Sequence, residues 1–462
     1  MQIAGLPAPK STTDGPSMNL FTRRSFQHGV HPDQEKAVTR DLPIRRFPFA
    51  PLLLVPLEQH AGQPARAVVR EGQEVRRGDK LGDADGDISA AVHAPASGTI
   101  RRIALVPSPL GRMVSGVYLE PWPGSTQEVA PGTPCDVASA SPEEIIRAIR
   151  DAGIVGLGGA AFPTHAKLRV APGQIDTLII NGAECEPYLT TDYRVMLEQM
   201  EDLLLGVRYL KKATGASRAI LAVEQHSHDV AEAAQTAMEQ LASRESLLEV
   251  RVLAVKYPQG AEKILIKTLL GRVISTGERP AAVGALCINA ATAAEIGRLL
   301  PHGQGILERV VTFAGSGIEK KGNYRIPIGT PLRFALETVG MTDDANRVLL
   351  GGPMMGQAVA DLDVPITKGI SGVIALAETP PARVYACIRC ARCLDACPLN
   401  LNPAELGALA RSAEHERMAE EFRLADCFEC GACSFVCPSH LPLVQEFRAA
   451  KSHLRRLRGD SA

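Results

Sequence analysis

The chain has 462 residues, 45% of them hydrophobic, with Lys+Arg 50 against Asp+Glu 51. At about 100–200 residues per domain, that length suggests three or four domains with cores of their own and excludes wholesale disorder. A net charge of -1 and a single Trp exclude a global basic field and a base-stacking platform for nucleic acid.

Residues 1–27 read as a flexible tail in which Met18 is a second candidate start, and no charged-then-apolar leader opens the chain. The longest uncharged stretches are Ala152–Ala166 and Pro280–Ala294. A spanning helix needs roughly 20 apolar residues, so the chain is not expected to cross a membrane by itself.

From 28 to 130, short apolar stretches alternate with Gly-Asp turns, the texture of a small β sandwich. Glu71-Gly72-Gln73-Glu74-Val75 and Ala94-Pro95-Ala96-Ser97-Gly98-Thr99-Ile100 resemble the lipoyl- and biotinyl-carrier folds. Such carriers present a modified Lys between those two phrases. Asp83–His93 contains no Lys, so the resemblance implies the fold without the swinging arm.

From 131 to 285 helices and strands alternate, which predicts an α/β unit on a largely parallel sheet. Ser141-Pro142-Glu143-Glu144 is a capping box with Pro at the first helical position. A strand is expected over Thr177–Asn181 and one long helix over Asp192–Thr214. Residues 286–345 read as a compact β-plus-helix unit with a helix at Leu332–Val339, and 346–380 as a β connector. After Pro380-Pro381 comes a cysteine region to 450. The tail 451–462 is basic (Lys451, Arg455, Arg456, Arg458) and expected as a solvated helix end.

Cys135, Cys185 and Cys287 are scattered and read as small buried residues. Eight more cysteines lie close together, which points to metal rather than to a disulfide framework. Cys387, Cys390, Cys393 and Cys397-Pro398 have the spacing C-x2-C-x2-C-x3-C-P, and Cys427, Cys430, Cys433 and Cys437-Pro438 repeat it residue for residue. Three thiolates at this spacing turn onto one iron–sulfur cubane, and the fourth leaves for the other cluster. That assigns Cys387, Cys390, Cys393 and Cys437 to one [4Fe-4S] cluster, and Cys427, Cys430, Cys433 and Cys397 to a second. The alternative, a pair of zinc knuckles, gives no reason for a third Cys at x2 or for the following Pro. Asn402-Pro403-Ala404-Glu405 opens a helical spacer between the runs, so a helical dicluster module is expected.

Gly153–Ala161 (GIVGLGGAA) holds a loose G-x-G-x-x-A match, but it follows a helix where a dinucleotide fingerprint follows a strand. By itself it is equally a ligand cradle or a packing turn. Asn181-Gly182-Ala183-Glu184-Cys185-Glu186-Pro187 lies at the carboxyl end of a predicted strand, where α/β sheets bind ligands.

Taken together, Gly153–Leu168 and Asn181–Asp192 look like the FMN- and NADH-binding loops of the flavoprotein subunit of respiratory complex I. Asn289-Ala290-Ala291-Thr292 resembles its later flavin-contacting segment, and Val310–Val339 its soluble-ligand-binding β-grasp. Leu157 stands where that loop carries Arg. The complete order, from Phe26-Gln27-His28-Gly29-Val30-His31-Pro32 through two ferredoxin-type runs, resembles the C-subunit family of Rnf-type ion-translocating ferredoxin–NAD oxidoreductases.

The resemblance implies a multidomain chain: lipoyl-like β sandwich, α/β flavin domain, β-grasp and helical dicluster domain. It places Gly156, Gly158, Gly159 and Lys167 on the FMN phosphate and ring, with Asn181, Asn289 and Thr292 also facing FMN. Glu184 and Glu186 would contact flavin or NADH. The implied role is a peripheral electron-input subunit on the cytoplasmic face of the inner membrane. Its partners would be integral-membrane and cluster-bearing subunits, NAD(H), and a ferredoxin or flavodoxin. No acid/base pair or nucleophile triad is found, and His28, His31 and His93 read as structural or surface. A soluble flavin and iron–sulfur reductase, for example of corrinoid, is the rival reading. A cluster-carrying docking subunit without catalysis is a third.

Overall fold

A computed structural model describes residues 25–109, 111–240, 247–377 and 383–457. Met18, Pro380-Pro381 and Arg458, named above, lie outside the described residues. The chain enters through Phe26–Pro32, a short helix α1 (Ala37–Arg40) and strand β1 (Ile44–Arg46).

The first unit comprises β2 (Leu53–Pro56), β3 (Arg66–Ala67), β4 (Glu74–Val75), β5 (Lys80–Asp83), β6 (Val92–His93), β7 (Gly98–Pro107) and β8 (Met113–Pro121). Two small sheets, ordered β2-β8-β7-β4 and β3-β5-β6, enclose Leu53, Val75, Leu81, Ile100 and Leu119, all buried. The antiparallel β7–β8 ribbon is the spine, paired from Gly98–Pro121 to Pro107–Met113 with a bulge between Ile100 and Arg102.

The second unit opens with α2 (Pro142–Asp151). Its capping box forms as the sequence indicates: Glu144 N–H donates to Ser141 Oγ (3.2 Å) and Ser141 N–H to Glu144 Oε2 (2.7 Å). There follow α3 (Thr164–Leu168), β9 (Thr177–Gly182), α4 (Thr191–Glu198), α5 (Met200–Thr214), β10 (Arg218–Glu224), α6 (His228–Glu239) and β11 (Glu249–Leu253). The unit ends with α7 (Glu262–Leu270), β12 (Ala285–Asn289) and α8 (Ala290–Leu299). All four strands are parallel, in the order β11-β10-β9-β12. The single helix expected over Asp192–Thr214 is two. Gln199 leaves helical geometry (φ -132, ψ 36), which frees α5 to lie against α8. β12 pairs with β9 along its length, so the α/β unit runs past the boundary expected at 285.

The third unit has β13 (Glu308–Ala314), β14 (Gly322–Pro327), α9 (Leu332–Val339), β15 (Ala345–Leu350), β16 (Gln357–Val359) and β17 (Gly372–Ala377). They form one six-stranded sheet, β1-β14-β13-β17-β15-β16. Residues 346–377 are therefore half of this sheet rather than a connector, and β1 adds an edge from the far end of the chain, parallel to β14. Phe47, carried in behind β1, packs on Phe313 and Tyr324 at ring-centre distances of 5.9 and 5.4 Å.

The fourth unit is helical: α10 (Arg392–Ala396), α11 (Pro403–Arg411), α12 (His415–Glu420), α13 (Ala432–Phe435) and α14 (Leu443–Leu457). Asn402 caps α11 by accepting from Glu405 N–H at 3.1 Å. The cysteine runs match in conformation as well as spacing, with left-handed residues at Arg389, Ala391 and Asn400 and again at Glu429, Gly431 and His440. The basic tail begins as the last turns of α14, where Lys451 pairs with Glu429 at 3.0 Å.

Helices α5 and α8 touch through glycine. A Cβ on Gly206 would strike the Ala293 carbonyl, and one on Gly297 the Asp202 carbonyl. Gly206→Ala is expected to destabilise the protein by about 1–3 kcal/mol through overpacking, read as a lower urea midpoint. An unchanged midpoint would contradict this contact.

Candidate functional site: a glycine loop and two sets of thiols

The parallel sheet changes winding direction between β9 and β12, and ligands of such sheets bind at the strands' carboxyl ends beside that switch. Asn181 and Asn289 are register partners there. Asn181 donates to Gly260 O (2.8 Å) and accepts from Ala183 N–H (3.1 Å). Asn289 caps α8 by accepting from Thr292 N–H (3.1 Å), and it donates to Asp192 (2.6 Å).

The glycine loop lies over this crevice. Gly156 N–H donates to Phe162 O (2.8 Å) and closes the loop at its base. Buried Leu157 is clamped on both sides: its N–H donates to Thr292 Oγ1 (2.9 Å), and its C=O accepts from the Arg309 guanidinium (2.7 Å). A Cβ on Gly158 would come within 2.9 Å of the Asn289 amide nitrogen, so a bare backbone is needed for this approach. At Gly159 (φ +142) no atom lies within 4 Å of the Cβ position, and the loop crest faces open space. The N–H groups of Gly158, Gly159 and Ala160 have no acceptor among the described residues. Exposed amides above a strand switch make an anion cradle.

The remaining expected residues are already engaged within the protein. Lys167 is paired with Glu262 at 2.5 Å, so its charge is balanced. Glu184 accepts from Asp192 N–H (3.0 Å) and Tyr193 N–H (3.3 Å) at the start of α4, and Lys36 donates to its backbone carbonyl. Burial raises the Glu184 carboxyl, Lys36 opposing and Asp192 adding. Glu186 accepts from Met354 N–H (3.0 Å) and Met355 N–H (2.8 Å), with burial again raising it against those two amides. Arg309, Lys36 and Asp192 were not singled out from sequence. Arg309 alone left a mark there, as a charge inside an apolar strand.

All eleven cysteines are free thiols. Burial raises Cys433, and its neighbours in charge are Cys430, Cys427 and Cys397. Burial likewise pushes Cys430 up to about 12, with Cys427 and Cys397 adding. Around Cys393, also raised by burial, stand Cys390, Cys437 and Cys387. Each fourth cysteine thus keeps company with the other run. No three ligands close on a single ion among the described residues, and the fit to iron–sulfur cores rests on four thiols per set. Burial favours the neutral thiols here, and a bound cation would supply the charge that turns them into thiolate ligands. Amides also reach sulfur, from Arg389 to Cys387 (3.4 Å) and from Leu401 to Cys397 (3.3 Å). The α/β unit meets the cysteine unit at Tyr257, beyond β11, whose hydroxyl donates to Cys430 O at 2.6 Å.

Family models match four stretches: an RnfC barrel sandwich hybrid domain over 24–122, a Nuo51 FMN-binding domain over 149–298, an SLBB domain over 310–358 and a 4Fe-4S dicluster domain over 382–442. The chain is 38% identical over 438 residues to the C-subunit of the proton-translocating ferredoxin:NAD(+) oxidoreductase complex of Clostridium ljungdahlii, covering 94% of each. It is 40% identical to the C-subunit of the ion-translocating oxidoreductase complex of Pasteurella multocida over 93% of this chain, but spans only 51% of that relative's length. A solved NAD+-reducing [NiFe]-hydrogenase aligns over 74% of each chain, with 20% identity and a TM-score of 0.49.

Two tests follow from this geometry. In the reconstituted protein, Cys397→Ser and Cys430→Ser are expected to alter the same electron paramagnetic resonance signal, and Cys437→Ser the signal altered by Cys390→Ser. Pairing within each run would refute the exchange. Separately, burial holds Glu224 at about 7 against an ordinary 4.5. A carboxyl raised on folding holds its proton more tightly in the folded state, so it costs stability as pH climbs from 4.5 through 7. Glu224→Gln is expected to raise the urea midpoint over the unaltered protein by a margin that widens from pH 5 to pH 8. A constant margin would show that Glu224 does not titrate in this way.

Proposed function

Because the chain belongs to the C-subunit family of ion-translocating oxidoreductase complexes, we propose that it is the electron-input subunit of a membrane-bound complex. That complex couples electron transfer between NADH and ferredoxin-type carriers to ion translocation. The observation that carries the reading is the direct contact of an FMN-type loop unit with a two-run cysteine unit in one chain. No helix among the described residues is long and apolar enough to cross a membrane. Attachment at the cytoplasmic face, through membrane-spanning and cluster-bearing partner subunits, is part of the proposal. The first unit is read as lipoyl-like, a carrier fold without its lysine.

In this reading the amides of Gly158 and Gly159 hold the FMN phosphate, and Gly156 and Thr292 keep the loop closed beneath it. Asn181 and Asn289 line the floor, Lys167 lies at the side with its charge already met by Glu262, and Glu184 and Glu186 bound the nicotinamide side. A bound flavin supplies the conversion between a two-electron hydride donor and one-electron acceptors. The protein's own residues place and insulate the redox groups. The half-buried carboxyls of Asp192 and Glu184 lie beneath the site and offer a phosphate no cation, which leaves it to the loop crest. Cys387, Cys390, Cys393 and Cys437 would ligate one [4Fe-4S] cluster, and Cys397, Cys427, Cys430 and Cys433 the other.

Anaerobically purified protein is expected to contain FMN and about eight irons per chain. NADH is expected to bleach both flavin and cluster absorbance. Iron without flavin, together with no response to NADH, would reduce the protein to a docking subunit. Bleaching without any membrane association in cell extracts would favour a soluble reductase.

A further inference from the structure

The two thiol sets differ sharply in their surroundings. Resting on the function proposed above, we infer that the set Cys397, Cys427, Cys430 and Cys433 holds the cluster that exchanges electrons with the flavin site, while the other set faces outward. We further assign Tyr257 as the positioning residue that fixes the inner cluster's ligand loop.

Tyr257 is 1% exposed. Its backbone pairs with Val30 in both directions at 2.9 Å, and its ring shares an apolar nest with Val30, Ala396 and Ala432, against which Cys185 and Cys430 pack. The hydroxyl donates to Cys430 O at 2.6 Å and stands 3.5 Å from Glu186. A second grip acts on the same ligand loop. Glu186 holds the Met354 and Met355 amides, and Gly431 (φ +79) lies so near that a Cβ there would be 2.6 Å from Met354 O. Arg448 closes this contact from the cluster unit, donating to Met355 O at 3.0 Å and to Glu429 at 3.1 Å. A residue of the expected flavin loop therefore reaches the second cysteine run through one tyrosine and one short turn.

The first run meets Phe26–Pro32 and the Tyr257 nest only at its far end, at Asp395 and Ala396. Cys387 and Cys390 are exposed, and Val384, Tyr385 and Ile388 beside them are 54%, 53% and 67% exposed. With flavin and clusters bound, Tyr257 and the Met354–Met355 turn would hold the inner cluster's ligand loop against the flavin unit. Oxidation of one NADH yields two electrons and one proton, so clusters that accept one electron each would need two transfers to a one-electron acceptor of the iron–sulfur or flavin class.

Tyr257→Phe keeps the ring and removes only the hydroxyl. In the dithionite-reduced holoprotein, with iron and flavin content unchanged, one cluster's midpoint potential is expected to fall while the other's stays put. The fall follows because the hydroxyl's positive end favours the more negative, reduced cluster. In the unaltered protein, ferricyanide treatment is expected to destroy first the resonance signal of the cluster that the variant leaves unmoved. A shift in both potentials, a shift in neither, or early loss of the shifted cluster would overturn the assignment. Should the phenylalanine variant not fold, Glu186→Gln is expected to move the same single cluster. These readouts do not use NADH, so failure of NADH to bleach the protein would count against the functional reading and not against this assignment.

Discussion

A carboxylate taken out of water must find donors, and Glu184 and Glu186 find theirs in backbone amides of different elements. Glu184 spends its two oxygens on the first turn of α4, fixing where that helix starts relative to the end of β9. Glu186, two residues on, reaches out of its own unit to the turn at Met354–Met355. One loop thereby sets both the floor of the strand crevice and the seat of the neighbouring units. Buried charge is costly unless it is well supplied with hydrogen bonds, and here the donors are main-chain N–H groups, which of all substitutions only proline at the donor position would delete.

The same economy recurs around the glycine loop. Its crest needs to be bare and open, so its hold on the protein is concentrated at one residue. Leu157 is buried, and both of its backbone polar groups are taken, by Thr292 and Arg309. Arg309 comes from β13 of the third unit, so the loop is steadied from outside the sheet that it covers. The position where the complex I loop carries Arg is thus occupied by a packing residue, and the charge near it arrives from a different strand.

Features whose cause is local were legible in the sequence. The capping box at Ser141, the cap at Asn402 and both cysteine runs need only a few consecutive residues, and each appears where the spacing put it. Partnerships between distant segments were not. Nothing within Ile44–Arg46 announces that it will pair with Asn323–Arg325, and nothing in residues 346–377 tells a connector from half of a sheet whose other half lies earlier. Tyr257 left no trace for the same reason, since its hydroxyl's partner is 173 residues away. The expected flavin residues were placed in one neighbourhood, but how each polar atom was already spent could not be read without the fold.

The segment Phe26–Pro32 carries a consequence for how the molecule is made. His28 bonds to Asp395 O at 3.0 Å, Gly29 N–H donates to Ala396 O at 3.2 Å, and Val30 pairs with Tyr257. His28 leaves the ribosome 367 residues ahead of its partner Asp395. Loops that long are slow to shut, and they shut only when the far side has taken shape. Residues 28 and 29 must therefore wait, untethered to 395 and 396, until the cysteine unit has folded beside them, and this strap fastens only after that unit has formed.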